Sequence, residues 1–196
     1  MLRRRMELGA PVPNALTVAR VLAPDGTAIA LGSLWAARDA LVVFVRHFAC
    51  AGCSAHVSAL QPRLGELAAL GVEVALVGSG DPAQLAAFVE RNLLSHLPVR
   101  AYTDPSRAAY AAAGLSRSVW GTIGPVAVVQ LLAALGQGHV NGRPEGDLYQ
   151  QGGTLYVAQG GTLALYHRAR NLGDHAPVVD VVELAMRRRA RSLGAT

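Results

Sequence analysis

The sequence predicts an α/β fold in which a central mixed β-sheet is flanked by helices and preceded by a β-hairpin. Three observations carry that expectation. Short apolar runs rich in β-branched residues, at 41–45, 72–77 and 99–103, alternate with segments whose apolar residues recur every three or four positions. The boundaries between them carry Gly, Asp-Pro or Pro-Asp-Gly. Two further strand-like runs, 154–158 and 162–167, meet across Gly160-Gly161 and must pair antiparallel at the edge of a parallel core.

Taken in order, residues 16–22 alternate apolar and polar and read as a strand. Pro24-Asp25-Gly26 is a turn, and 28–31 is the return strand of a hairpin. Ser33 is placed to cap a short helix to residue 37. The run Leu-Val-Val-Phe-Val at 41–45 suits a central strand covered on both faces. Val57, Leu60, Leu64, Leu67 and Leu70 mark one face of a helix over 54–70, kinked at Pro62 and closed by Gly71. Residues 72–77 form the next strand. Asp81-Pro82 starts a helix to about residue 95, 99–103 is a strand, and Asp104-Pro105 starts a helix to about 113. Residues 117–135 read as helical after Pro125, 136–153 as a long glycine-rich loop, and 177–191 as a closing helix.

The 196 residues suffice for one domain, expected at 15–190 between a basic extension at 1–14 and a tail at 191–196. Hydrophobic residues make up 52% and charged residues 16%, which excludes general disorder. All 18 basic residues are arginine, so chemistry that needs a lysine is excluded. The net charge of +5 comes from the ends, Arg3 to Arg5 and Arg187 to Arg191, which read as solvated tails around a near-neutral body. With aromatic residues at only 5%, a nucleic-acid partner is not expected. No apolar run reaches the ~18 residues of a membrane span and no signal-like core follows the N-terminus, so a cytoplasmic location without a membrane partner is expected.

The chemistry centres on Cys50-Ala51-Gly52-Cys53, between a buried strand and an amphipathic helix. A helix N-terminus offers unpaired N–H groups and partial positive charge, which favour a thiolate. A three-residue offset lets the two sulfurs meet as a disulfide. Inert buried cysteines and a metal site are the alternatives. The spacing of His47, Cys50, Cys53 and His56 argues against the metal, because along a helix the outer pair would lie roughly 13 Å apart. Arg46, His47 and His56 could tune the thiolate, Arg46 also by holding an anionic sulfur or peroxide oxygen. Their plainer readings are a solvated strand-end arginine and histidines on an exposed helix face. Gly138, His139 and Gly142, with Gln151, Gly152 and Gly153, are a candidate substrate loop, and their spacing is not that of a dinucleotide-binding turn. His175 reads as structural, since no nucleophile elbow accompanies it.

These residues resemble a known family. The strand-Cys50-x-x-Cys53-helix unit behind an N-terminal hairpin is similar to the thioredoxin-like fold in its peroxiredoxin variant. The segment from Gly138-His139 through Glu145-Gly146-Asp147 and Gln150 to Gly153, followed by the hairpin and by His167-Arg168-x-Arg170-x-x-Gly173-Asp174-His175, resembles the peroxiredoxin-like AhpC/TSA antioxidant family, of the peroxiredoxin-like 2 type. The resemblance covers roughly residues 15–190. It implies a thiol-dependent oxidoreductase without a cofactor, acting on a small peroxide, endoperoxide or disulfide and re-reduced by a thioredoxin-type protein, with a homodimer compatible with it. Set against the typical Pro-x-x-x-Thr-x-x-Cys, Cys53 takes the peroxidatic position, Cys50 replaces the threonine and Arg46 the proline. The arginine usual before the penultimate strand is replaced by Gln151-Gly152-Gly153. Disulfide-exchange logic makes Cys50 the attacking thiol and Cys53 the resolving one, whereas peroxidatic logic reverses them. The competing functional class is a non-enzymatic binding or redox-sensing module on the same fold.

Overall fold

The computed structural model describes residues 6–48, 51–115, 150–171 and 174–194. Within them the helices are α1 (Asn14–Thr17), α2 (Ala51–Leu60), α3 (Leu64–Ala69), α4 (Pro82–Arg91), α5 (Ala108–Ala112) and α6 (Val178–Gly194). The strands are β1 (Arg20–Leu22), β2 (Ala28–Ala30), β3 (Asp39–Phe44), β4 (Val72–Gly78), β5 (Arg100–Thr103), β6 (Gly153–Val157) and β7 (Leu163–Arg168). They form one sheet in the order β2-β1-β5-β4-β3-β6-β7. β3, β4 and β5 run parallel, while β1, β6 and β7 add antiparallel pairings on either side.

The continuous apolar character of β3 and β4 has a direct cause: both faces of the sheet are covered. Leu41, Val43, Val72, Val74 and Leu76 point into a core completed by α2, α3, α4 and α6. Ala40, Val42, Phe44, Ala75 and Val77 point into a second core completed by α1, α5 and the turn at Leu31–Trp35. The chain must therefore leave β3 at one end of the sheet, and α2 follows from there.

Several local readings hold, and others fail for identifiable reasons. Pro62 divides the predicted 54–70 helix into α2, one 3-10 turn at Gln61–Arg63 and α3, and Gly71 closes it with φ of 81°. Asp81 caps α4 through a reciprocal pair with Gln84, at 2.8 and 2.9 Å. The 16–22 strand begins only at Arg20. The Pro13 carbonyl accepts from the Leu16 and Thr17 N–H groups, which turns 14–17 into α1. Ser33 lies inside a 3-10 helix and its hydroxyl donates to the Ala30 carbonyl, so it is not a helix cap. α4 ends at Arg91, where Leu93 adopts a left-handed backbone. Asp104 accepts from the Ala109 N–H at 2.8 Å, but α5 starts only at Ala108 because Arg107 is itself left-handed. The expected helix at 117–135 and most of the 136–153 loop lie outside the described residues.

The chain also docks ahead of residue 15. The Gly9 N–H donates to Leu163 and the Val12 N–H to Gly161. At the other end α6 continues through Gly194. Arg188 corrects the solvated-tail reading, since it grips Asp39 with two bonds of 2.6 and 3.3 Å. Tyr156 and the Gln159 N–H donate to the same carboxylate. Burial opposes ionisation of Asp39, but these donors outweigh it and hold the carboxyl below its ordinary range. Arg188→Leu is expected to lower the unfolding free energy by about 1–2 kcal/mol, as for a half-buried ion pair. Because the folded-state pKa is depressed, that contribution is present at neutral pH and is lost as pH falls through it. Denaturant titrations should show the gap between variant and wild type at pH 7 and its narrowing in strong acid.

Candidate functional site

The carboxyl end of β3 delivers the chain to Arg46 and His47, and α2 then places Cys53 in its first turn. The Cys53 thiol is 1% exposed. Its Sγ accepts the Arg46 N–H at 3.3 Å. Arg46 is held by two further bonds: Ser79 Oγ donates to its carbonyl at 2.6 Å, and its Nε donates to the Gln150 carbonyl at 3.1 Å. Behind the thiol, the fully buried Tyr110 hydroxyl sits 2.5 Å from the Val45 carbonyl and 2.9 Å from that of Val77. Burial pushes the Tyr110 phenol well up, and negative charge on Cys53 and Asp104 pushes it further, so it stays a donor.

The backbone comes unusually close here. A Cβ on Gly152 would meet the Phe44 carbonyl at 2.7 Å, and one on Gly153 the His167 carbonyl at 2.8 Å. Both glycines, proposed from sequence as a substrate loop, therefore have a structural demand of their own: they let β6 enter between β3 and β7. Gln151 donates to the Ala169 carbonyl at 3.2 Å. Of the other expected site residues, Cys50, Gly138, His139 and Gly142 lie outside the described residues.

Neither Arg46 nor the two histidines conform to the exposed readings. Arg46, His47 and His56 are 5%, 6% and 8% exposed. His56 lies one helical turn after Cys53 and stacks on His175, with ring centroids 4.1 Å apart and planes 10° from parallel. The Gly52 backbone lies beside the His175 ring and favours its protonation. Its neighbour Asp174 accepts the Arg170 N–H at 2.7 Å and lies 2.9 Å from His167 Nε2. That last contact is an ion-pair distance without hydrogen-bond alignment, because the same Nε2 has no bonded partner. Burial, then the positive charge of His175 and His167, lowers the His56 pKa to about 3. Burial is also the largest effect on His175. The Gly52 backbone and Asp174 oppose it, His167 and Arg46 reinforce it, and the result is about 4. Both rings are neutral at pH 7. Among the described residues no three His, Cys, Asp or Glu side chains gather as a metal site.

Sequence reasoning singled out Cys53, Arg46 and the histidines of the helix start. It missed Tyr110 and Ser79, which reach the site from distant segments without a local pattern, and gave Gln150 only as part of the motif that carries the family resemblance. His175, read as structural, packs its ring on that of His56.

The profile of the AhpC/TSA antioxidant enzyme family matches residues 59–171. The chain belongs to that family. Mouse (Mus musculus) peroxiredoxin-like 2C is 33% identical over 91% of this chain and 82% of its own length. Prostamide/prostaglandin F synthase of Salmo salar is 32% identical over 80% of this chain and 79% of its own. Among solved structures, Mycobacterium tuberculosis peroxidoxin BcpB superposes with a TM-score of 0.65 at 12% identity, covering 93% of this chain and 97% of that one. This last likeness bears on the fold alone, which is the thioredoxin-like fold in its peroxiredoxin variant. As a member of the AhpC/TSA family the protein is a peroxiredoxin-like oxidoreductase. Among its described residues no helix is long and apolar enough to cross a membrane.

The histidine stack has a measurable consequence. Unfolded, each imidazole binds a proton near pH 6.5; folded, it resists protonation down to about 3 for His56 and about 4 for His175. The unfolded state binds more protons in this window, so stability present above pH 6.5 is lost as pH falls towards 4. Between pH 7.5 and 5 the loss should be about 1–2 kcal/mol per histidine. Urea titrations should show it for the wild type and a shallower slope for His56→Phe; equal slopes would contradict the assignment.

Proposed function

We propose that this AhpC/TSA protein works through a Cys50–Cys53 redox disulfide, with Cys50 attacking and Cys53 resolving. The observation that carries the reading is the state of Cys53: a thiol sealed from solvent in the first turn of α2, with the Arg46 N–H directed at its sulfur. A buried thiol is badly placed to meet a bulky disulfide or endoperoxide, but well placed to attack a neighbouring sulfur. An N–H donor also suits a sulfur that must carry negative charge when it attacks and when it leaves.

In this reading the Cys50 thiolate attacks one sulfur of a disulfide RS–SR. A Cys50–SR bond forms, and RS⁻ leaves and takes up a proton. With a hydroperoxide the attack on the terminal oxygen breaks the O–O bond, leaving a sulfenic acid on Cys50 and an alkoxide that is protonated; with an endoperoxide it leaves a sulfenate ester, Cys50–S–O–R, and the other oxygen as an alkoxide that is protonated. Cys53 then attacks the Cys50 sulfur and expels the second thiol, water, or the alcohol of the sulfenate ester. Both cysteines end oxidised, and the substrate has gained two electrons. A thioredoxin-type dithiol returns them by two exchanges. The chemistry needs no cofactor and no second copy of the chain. Its dependence on a dithiol reductant fits a reducing compartment such as the cytoplasm. Arg46, His47 and His56 form the surroundings of the thiol pair, the segment bearing Gly138, His139 and Gly142 supplies substrate contacts, and residues 15–190 act as one domain.

Single-cysteine variants test the order of attack. Cys53→Ser should accumulate a mixed disulfide through Cys50 when offered an oxidised dithiol, while Cys50→Ser stays inert towards it. The opposite result, sulfenic acid on Cys53 in Cys50→Ser under peroxide and no reaction of Cys53→Ser, would assign the attack to Cys53.

A further inference from the structure

The closing helix α6 uses one face for folding and leaves another uncovered. Val181, Val182 and Ala185 are buried in the core shared with α2 and α3, and Arg188 is drawn to Asp39, so the orientation of the helix is settled. On a different face Val179, Met186 and Leu193 are 53%, 52% and 63% exposed. They make up three of the six large apolar side chains exposed among the described residues. Each is one heptad from the next, which sets them in a single row along the helix, about 10.5 Å apart. Isolated exposed apolar residues are ordinary, but a row in register is not.

The charges of α6 are segregated along its length. The exposed acids Asp180 and Glu183 lie in its first half, and the exposed Arg187, Arg189 and Arg191 in its second. Glu183 and Arg187 pair with each other at 3.1 Å. Among the described residues Asp180 and Arg191 have no ion-pair partner. These two are eleven residues apart, close to three whole turns, so they stand on one flank of the apolar row. Apolar row and charges share one centre, Met186: Val179 stands seven residues before it and Leu193 seven after, Asp180 six before and Arg191 five after. A second α6 laid antiparallel across the row, with a two-fold axis at Met186, sets Val179 against the partner's Leu193. It also sets Asp180 beside the partner's Arg191, about 1.5 Å apart along the axis, and does so twice. Parallel pairing would oppose like charges instead. A flat anionic lipid surface would attract the arginines but repel Asp180 and Glu183, so the charge pattern favours a second copy.

We propose that α6 is a self-association surface: two copies of this chain pair through antiparallel α6 helices, with Met186 on the two-fold axis and an Asp180–Arg191 pair on each side of it. Such an interface is isologous, each copy offering the same patch to the other. One helix pair stands at the small end of protein interfaces, below the ~1,200–2,000 Å² of a standard one, so the dimer is weak and forms at micromolar concentrations or above. The proposal does not rest on the redox-disulfide reading, and either can fail without the other.

Sedimentation equilibrium of the full chain, under reducing conditions and over a wide concentration range, reads the association directly. The wild type should pass from monomer to dimer, and Met186→Arg should stay monomeric with an unchanged melting temperature, since residue 186 is half exposed. Asp180→Arg and Arg191→Asp should each weaken the dimer about tenfold, and the double variant should regain most of the loss. Orientation is read with a short bismaleimide in a Cys50→Ser, Cys53→Ser background. Val179→Cys chains mixed with Leu193→Cys chains should cross-link to each other, while Val179→Cys chains alone should not. A wild type that stays monomeric throughout, a dimer that survives Met186→Arg, or Val179→Cys chains that cross-link among themselves would overturn the proposal. So would a monomer that binds phosphatidylserine vesicles through Met186, which would make lipid the occupant of the row.

Discussion

The burial of β3 on both faces is the constraint from which the site follows. A strand covered above and below can end only at the rim of the sheet, and β3 and the parallel β4 end at the same rim. There the carbonyls of Val45, just past β3, and of Val77, near the end of β4, share the Tyr110 hydroxyl. The next residue, Arg46, turns its N–H towards Cys53 and its carbonyl towards Ser79. Polar backbone at a buried rim needs partners, and here Tyr110, Ser79 and Cys53 supply them.

The electrostatics around Cys53 come from burial as much as from charge. Two histidines beside a thiol would ordinarily suggest imidazolium stabilisation of a thiolate. Here they are stacked, covered and neutral at pH 7. A backbone N–H, that of Arg46, is directed at the sulfur, and the His56–His175 stack lies one helical turn beyond it. Fixed dipoles of this kind do not titrate near neutrality, so they hold the same geometry through a catalytic cycle in which thiols gain and lose protons.

Much of this was legible in the chain itself. The runs at 41–45 and 72–77, the glycine at 71 and the Asp81-Pro82 start are local signals, and each corresponds to an observed strand, cap or helix start. Of the strand–dicysteine–helix order, the part within the described residues is seen at Cys53, which follows β3 and stands in the first turn of α2. What the sequence hid was set by tertiary contact. Pro13 outweighed the alternation of 16–22, and a left-handed Arg107 delayed α5. Arg188 left the basic tail to pair with Asp39, 149 residues away. The exposed readings of His47 and His56 failed because neither residue reveals which element will cover it. His56 is covered by His175, 119 residues downstream, and that pairing leaves no periodic trace.

The central claim is that Cys50 and Cys53 form one reversible intramolecular disulfide. Intact-protein mass spectrometry after one equivalent of a mild oxidant tests it most directly. The account predicts the loss of two hydrogens, protection of both cysteines from alkylation, and full reversal by dithiothreitol. Two cysteines still open to alkylation after oxidation, or oxygen added to one sulfur with no bridge to the other, would contradict it.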